Sequence, residues 1–264
     1  MVTQNDTSAR RVEDRPRLLD LCCCAGGCSV GYSRGGFAPY GIDNNPKPLR
    51  HYPFPHICMD ALEAMDRLLK GEGLTFSNGE TLYLVDFAAF HASPPCQNDS
   101  RFRKLTIALG RAKQYPQLIV PLRKRLISTG KPYVLENVPG APLIDPIMLC
   151  GSSFGLKVQR HRLFESNVSM LQLPCAHYWQ GKEALPPLHR LHGNSRVVGC
   201  YGNGRGKGDN KALWQEAMGI TWMVRAEMRE ALPPVYLEKH ISKYLLQALR
   251  GSPALFPPSE AIKP

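Results

Sequence analysis

The sequence predicts an open α/β fold with helices wound on both faces of a mostly parallel sheet. Three observations carry that expectation. Arg17-Leu18-Leu19-Asp20-Leu21-Cys22 is a short apolar run of strand length, and it flows through Ala25-Gly26-Gly27 into the helix-like Ser29–Arg34. Ala38–Asp43 is a second short run, and it ends in a carboxylate. The later stretches Leu82–Ala92 and Lys131–Gly140 are largely apolar and lead to Cys96 and Glu136. Continuous apolar runs mark strands covered on both faces, as in parallel sheets. Strand, glycine turn and helix in that order open a Rossmann-like, doubly wound fold.

At 264 residues the chain suits one large domain, or one domain with a small insert. Its apolar content of 43% is ordinary for a globular protein with a sizeable core. No apolar run reaches the roughly 18 residues that span a bilayer. Met1–Arg17 is polar and lacks the apolar core of a secretory signal. The nine cysteines follow no disulfide framework, and Cys22, Cys23 and Cys24 are adjacent. A cytoplasmic monomer with free thiols and no membrane partner is expected. Net charge is +11, with an isoelectric point near 9.3, which suggests a polyanion partner, most simply nucleic acid. Between Asp99 and Glu136 there is no acidic residue, while the interval holds Arg101, Arg103, Lys104, Arg111, Lys113, Arg123, Lys124, Arg125 and Lys131. A one-sign block of this kind reads as a phosphate-binding surface, against the plainer reading of charge that aids solubility.

Taken in order, residues 1–15 form a polar tail. Residues 16–165 hold the strands and helices of the main domain. Asp43 closes the second strand, where a carboxylate is placed to take both ribose hydroxyls of an adenosine cofactor; Asn44-Asn45-Pro46 also support a turn role. Asp60 leads an amphipathic segment to Lys70, either as its N-cap, as an acceptor for an adenine amine, or both. Residues 71–79 read as a loop and Pro116–Ser128 as a helix with a basic face. Leu149–Leu156 and Leu163–Glu165 read as further short strands. Residues 166–212 change texture, being rich in Pro, His and Gly, and include a basic glycine loop with Arg205 and Lys207. Residues 213–250 become helical again, and 251–264 read as a disordered, proline-rich tail.

The chemistry concentrates around His91-Ala92-Ser93-Pro94-Pro95-Cys96-Gln97-Asn98-Asp99-Ser100. Two prolines fix φ and exclude helix, so the Cys96 thiol is delivered at a defined place beyond a strand end. That is where ligands bind in an open sheet, and a cysteine there is a candidate nucleophile; a small buried hydrophobe is the plainer alternative. Glu136 closes an apolar strand, which costs desolvation unless the carboxylate has a role or a partner. Arg160 and Arg162, one residue apart, share one face of an extended segment. Cys175-x-His177 with His189-x-x-His192 is a zinc possibility, but the spacing matches no standard finger, and surface histidines account for it without metal.

In this order, these residues resemble the DNA cytosine-5 methyltransferase family, most closely its short phage-borne members. Asp20-Leu21-Cys22-Cys23-Cys24-Ala25-Gly26-Gly27 is similar to the cofactor motif Asp-Leu-Phe-x-Gly-x-Gly-Gly. Pro94-Pro95-Cys96-Gln97 resembles the Pro-Cys nucleophile motif, and Glu136-Asn137-Val138 the Glu-Asn-Val motif. Arg160-x-Arg162 resembles the arginine pair of the next motif. Ala217-Met218-Gly219-Ile220 and Pro233-Pro234 resemble the late elements that return to the cofactor. Cys22 stands where the family has Phe, Cys24 where it has Gly, and Arg229-Glu230 where it has Gly-Asn.

The resemblance implies a Rossmann-like S-adenosyl-L-methionine (SAM)-dependent methyltransferase. Asp20, Leu21, Cys22, Ala25, Gly26, Gly27, Asp43, Asn44, Asp60, Ala61 and Pro94 would line the cofactor site. Cys96 would add to C6 of a cytosine flipped out of duplex DNA, with a thiolate favoured by nearby Arg and Lys. Gln97 would stand beside it, Glu136 would hydrogen-bond N3 and the exocyclic amine, and Arg162 with Arg160 would hold O2. Ser100, Arg101, Arg103, Lys104, Arg111, Lys113, Arg205 and Lys207 would contact double-stranded DNA, and 166–212 would recognise a short target. Related alternatives are a transfer-RNA cytosine methyltransferase, a DNA binder with a decayed cofactor site, and a carboxylated SAM paired with Arg229. A Rossmann dehydrogenase leaves Pro-Pro-Cys-Gln unexplained.

Overall fold

The structure is a computed structural model that describes residues 15–96, 117–177, 197–200 and 211–251. It is a mixed α/β fold built on a seven-stranded, mostly parallel sheet. Strands β1 (Arg17–Leu21), β2 (Ala38–Asp43) and β3 (His56–Cys58) run outward to one edge, connected by helices α1 (Gly27–Arg34) and α2 (Pro46–Leu49). The chain then crosses back through α3 (Ala61–Leu69) and a hairpin of β4 (Leu74–Thr75) and β5 (Thr81–Leu82). It re-enters the sheet on the other side of β1 as β6 (Phe87–Ala92). Helix α4 (Ile119–Ser128) leads to β7 (Tyr133–Asn137), and β8 (Ile147–Leu149) and β9 (Arg162–Ser166) complete the far edge.

The strand order is β3-β2-β1-β6-β7-β9-β8. The first five strands are parallel; β9 lies antiparallel to both β7 and β8. The order reverses between β1 and β6, and that reversal opens a crevice at their carboxyl ends.

Alternation along β1 divides the core. Leu19 and Leu21 face Met65 and Leu68 of α3 and Leu122 and Leu126 of α4. Leu18 faces Tyr32 of α1 and the C-terminal residues Tyr236, Leu237, Ile241 and Leu245. Helices α5 (Lys211–Met218) and α6 (Arg225–Glu230) form a third cluster through Trp214, Met218, Met223 and Met228, against Ala25 of the first turn. The closing helix α7 (Ser242–Leu249) follows a wider π turn at Leu237–Ile241.

The C-terminal segment returns across α1. A Cβ on Gly27 would lie 2.8 Å from Leu232 O, and one on Gly31 only 2.3 Å from Pro234 O. Both glycines are therefore packing positions for the chain itself, beyond any cofactor. Asp60 is the N-cap of α3, accepting from the amides of Leu62 and Glu63.

Several sequence expectations shift. The 71–79 loop contains β4 and half of a hairpin. The strand expected at Leu149–Leu156 ends at Leu149; Gly151–Phe154 is a 3-10 turn, closed by Gly151 N–H to Gln159 O and Leu156 N–H to Gly151 O. The described part of the basic block, residues 123–131, is not one-sign in space. Arg123 makes a buried bidentate pair with Glu165 at 2.6 and 2.7 Å, and Arg125 a bidentate pair with Asp66. Lys131 donates to the carbonyls of Leu84, Val85 and Phe87. Acids distant in sequence neutralise the face of α4, so of these four cations only Lys124 is exposed.

Candidate active site

Three side chains singled out from the sequence meet at the sheet's carboxyl rim. Ala92, the last residue of β6, pairs with Leu135, so the chain leading to Cys96 leaves the sheet beside Glu136 of β7. On the next strand Phe164 opposes Glu136, and Arg162 lies two residues away on the same face. Arg162 Nε sits 2.9 Å from Glu136 Oε1, off the hydrogen-bonding axis, so the contact is a charge pair and Oε1 has no hydrogen-bond partner.

Electrostatics set the resting state of this trio. Burial raises Glu136 above the usual carboxylate range, although Arg162, a Ser93 hydrogen bond and Arg160 pull the other way. The Cys96 thiol is also raised: burial outweighs the favourable charge of Arg162, while Glu136 and Glu230 disfavour the thiolate. Arg162 favours the thiolate, as expected of a nearby cation, while Arg101, Arg103 and Lys104 lie outside the described residues. Among the described residues that one guanidinium does not offset desolvation.

Support comes from Asn137, His91, Ser93 and Tyr32, to which the sequence assigns no role. Asn137 is almost fully buried and donates from Nδ2 to Pro94 O at 3.0 Å. Pro94, expected at the cofactor, thereby has its carbonyl engaged in fixing the Cys96 loop. A chain of hydrogen bonds runs from Tyr32 Oη to His91 Nδ1 at 2.9 Å and from His91 Nε2 to Ser93 Oγ at 2.7 Å. Ser93 continues it to Glu136. His91 is fully buried and burial lowers its pKa to about 3, so the ring is neutral. The only sequence signal was one histidine in an apolar strand, which is not specific.

Arg160 acts on Glu136 from a distance, but its hydrogen bonds are made to backbone carbonyls. Its φ is +27°, so the segment is bent and not extended. Its guanidinium donates to Cys200 O at 3.2 Å and Arg229 O at 2.6 Å, and Tyr236 Oη donates to Arg160 O. Arg160 ties the β9 entry to the C-terminal segment, whereas Arg162 faces Glu136.

The crevice beside β1 carries the residues expected to hold a cofactor. Cys22 and Cys24 adopt left-handed φ values of 60° and 50°. Gly26, at φ +84°, packs against Tyr52 and Pro53. Asp43 Oδ2 accepts from Cys24 N at 2.9 Å and Oδ1 from Asn45 N at 2.8 Å, so the turn role is realised. A carboxylate has about four acceptor sites, which leaves capacity for ribose hydroxyls. Asn44 is exposed, and Leu21, Ala25, Gly27 and Ala61 are buried. Asp20 is fully buried, bonded to Ser29 Oγ, with Oδ1 lacking a hydrogen-bond partner. Its pKa is pushed up to about 7, chiefly by burial, with Asp43 and Glu136 adding. Asp20, Asp43 and Asp60 all act on Cys22. This carboxylate surplus and an orphaned acceptor fit a ligand that brings hydroxyls, an amine and positive charge. Arg229 pairs with Glu230 at 3.2 Å. Gln97, Ser100, Arg101, Arg103, Lys104, Arg111, Lys113, Arg205, Lys207, His189 and His192 lie outside the described residues.

No protein-family model and no curated protein matches the chain. Solved structures do. The Entamoeba histolytica methyltransferase EhMeth aligns over 89% of this chain and 99% of its own, with TM-score 0.52 and 11% identity. At that identity the likeness concerns the fold, and it agrees with the Rossmann-like sheet. A structure described as a DNA modification methyltransferase of an E. coli prophage aligns over 56% of this chain and 45% of its own, with TM-score 0.39 and 19% identity. A Spodoptera frugiperda DNMT2 mutant aligns over 57% and 49%, with TM-score 0.38 and 14% identity. The matched region thus spans under half the length of these two proteins. Among the described residues, no helix is long and apolar enough to cross a membrane.

Proposed function

We propose that this protein is a cytosine-5 methyltransferase acting on duplex DNA, with SAM as donor and Cys96 as nucleophile. One observation carries the reading: the loop bearing Cys96 is bonded through Pro94 to Asn137, beside a buried Glu136 paired with Arg162. A thiol, a carboxyl group of raised pKa and a guanidinium at a sheet switch point suit covalent activation of a pyrimidine.

When bound, SAM supplies an electrophilic methyl group. The crevice residues fit it: Asp43 for the ribose hydroxyls, Asp60 for the adenine amine, and the carboxylate surplus around Asp20 for its positive charge. Cys96 loses its proton and adds to cytosine C6, which makes C5 nucleophilic. Glu136, whose carboxyl group burial biases toward the protonated form, hydrogen-bonds N3 and the exocyclic amine as charge develops on the ring. Arg162 balances the charge at O2 and stabilises the departing thiolate. Once C5 carries the methyl, loss of its proton restores the ring and expels Cys96. A stacked base is out of reach, so the cytosine must flip, at a cost of a few kcal/mol.

The test is transfer from tritiated SAM to mixed-sequence duplex DNA and, separately, to transfer RNA, with wild type, Cys96→Ala and Glu136→Gln in parallel. Label on C5 of cytosine in DNA, absent with Cys96→Ala, supports the reading. Label confined to RNA overturns the substrate. Label that survives Cys96→Ala overturns the nucleophile.

A further inference from the structure

The β8–β9 turn gathers four metal-binding side chains outside the trio described above. Leu149 of β8 pairs with Arg162 of β9, so the next residues outward, Cys150 and His161, face each other across the antiparallel ladder. Cys175 and His177 sit two residues apart on an irregular segment that Ser153 Oγ and Ser152 Oγ pin to the same turn, through Pro174 O at 2.7 Å and Ala176 N at 3.0 Å. The ligand atoms of all four lie within 4.8 Å of one another. Cys150 Sγ is 3.1 Å from His177 Nε2, and Cys175 Sγ is 3.4 Å from His161 Nε2. The two imidazoles lie 5.1 Å apart, tilted.

We propose that Cys150, His161, Cys175 and His177 form a tetrahedral zinc site that fixes the Arg160–Arg162 segment. Ligands at Zn–S of about 2.3 Å and Zn–N of about 2.0 Å stand roughly 3.3–3.8 Å apart in a tetrahedron. Of the two sulfur–nitrogen pairs, the 3.4 Å one falls within that range and the 3.1 Å one just below it, a small adjustment for an ion entering between them. Two thiolates, two neutral imidazoles and a divalent ion sum to zero charge, which allows the site to sit against the core, where Cys150 is fully buried. An S₂N₂ set selects zinc over hard cations, and four protein ligands leave no open position, so the role is structural. Ser152 Oγ, 3.0 Å from Cys150 Sγ, would donate to the bound thiolate. Binding releases the two thiol protons.

Along the sequence Cys175 and His177 group with His189 and His192, where surface histidines suffice. Cys150 and His161 are 25 and 14 residues upstream of Cys175, at no standard spacing, and only the β8–β9 pairing reveals them. Metal here would matter for the active site because His161 lies between Arg160, held in a left-handed conformation, and Arg162, the partner of Glu136.

The test is independent of methyl transfer. The full chain is purified without chelator and its metal measured by mass spectrometry, for wild type, Cys175→Ser, His177→Ala and the exposed-cysteine control Cys58→Ser. One zinc per chain in wild type and Cys58→Ser, lost from the other two, is expected. Because those two variants can misfold, cobalt(II) is also titrated into chelator-stripped wild type. Tetrahedral ligand-field bands with a thiolate charge-transfer band support the site. An octahedral spectrum, zinc retained by Cys175→Ser or His177→Ala, or an intact mass showing a Cys150–Cys175 disulfide overturns it.

Discussion

Asn137 donates to Pro94 O at 3.0 Å, so the residue after Glu136 also holds the loop that carries Cys96. Nucleophile and carboxyl group come from neighbouring strands, yet one amide sets their separation. Asn137→Ala should lower kcat by about 100-fold, as small misplacements of reacting groups do, with little change in SAM affinity. Rapid-quench kinetics and SAM titration separate the two; an equal loss in both would point to general unfolding.

Arg162 lowers the pKa of both Cys96 and Glu136 against burial, which raises both. Activity should rise with pH as the Cys96 thiolate forms and fall as Glu136 loses its proton. Removing the guanidinium removes a lowering influence on each group, so in Arg162→Gln both limbs move to higher pH. The pH profile of kcat/KM, together with iodoacetamide alkylation of Cys96, reads the shift. An unmoved alkylation profile would dissociate Arg162 from the thiol.

Asp20 ionises near pH 4 when unfolded but at about pH 7 in the fold. Between those values the folded chain binds the extra proton, so this group's contribution to stability falls as pH rises through that window. Asp20→Asn should therefore stabilise the protein at pH 8, with an upper bound of roughly 4 kcal/mol for about three units, and by little at pH 4. His91 acts oppositely: its lowered pKa gives stability that is present above pH 6.5 and lost as pH falls toward 3. Acid unfolding should thus persist in Asp20→Asn. Urea titrations at pH 4, 5 and 8 check the pair.

Arg123 and Glu165 are both nearly inaccessible, whereas Asp66, the partner of Arg125, is 44% exposed. Arg123→Ala leaves Glu165 buried and unpaired and should cost about 3–5 kcal/mol, while Arg125→Ala should cost under about 1 kcal/mol. Neither should change the salt dependence of DNA binding, since both cations are already neutralised. Urea melts and binding at two salt concentrations measure this. A reduced salt slope in Arg123→Ala would restore it to a phosphate-binding face.

By itself the sequence determined the periodic elements and the rim residues. Short apolar runs became β1, β2, β6 and β7 because parallel strands are covered on both faces, and their ends located Asp43, Cys96 and Glu136 one strand at a time. Asp60 read as a cap because capping is a local hydrogen-bond requirement. The tertiary structure alone decided what depends on long-range pairing. It turned Arg123 and Arg125 from a surface block into ion pairs with Glu165 and Asp66, and it anchored Arg160 on the carbonyls of Cys200 and Arg229. It packed Gly27 and Gly31 under Leu232 and Pro234, and it brought Cys150 and His161 opposite each other beside Cys175 and His177. Spacing along a chain records local geometry. Charge compensation, desolvation and ligand convergence depend on which strands lie side by side, and that is set only when the sheet closes its order.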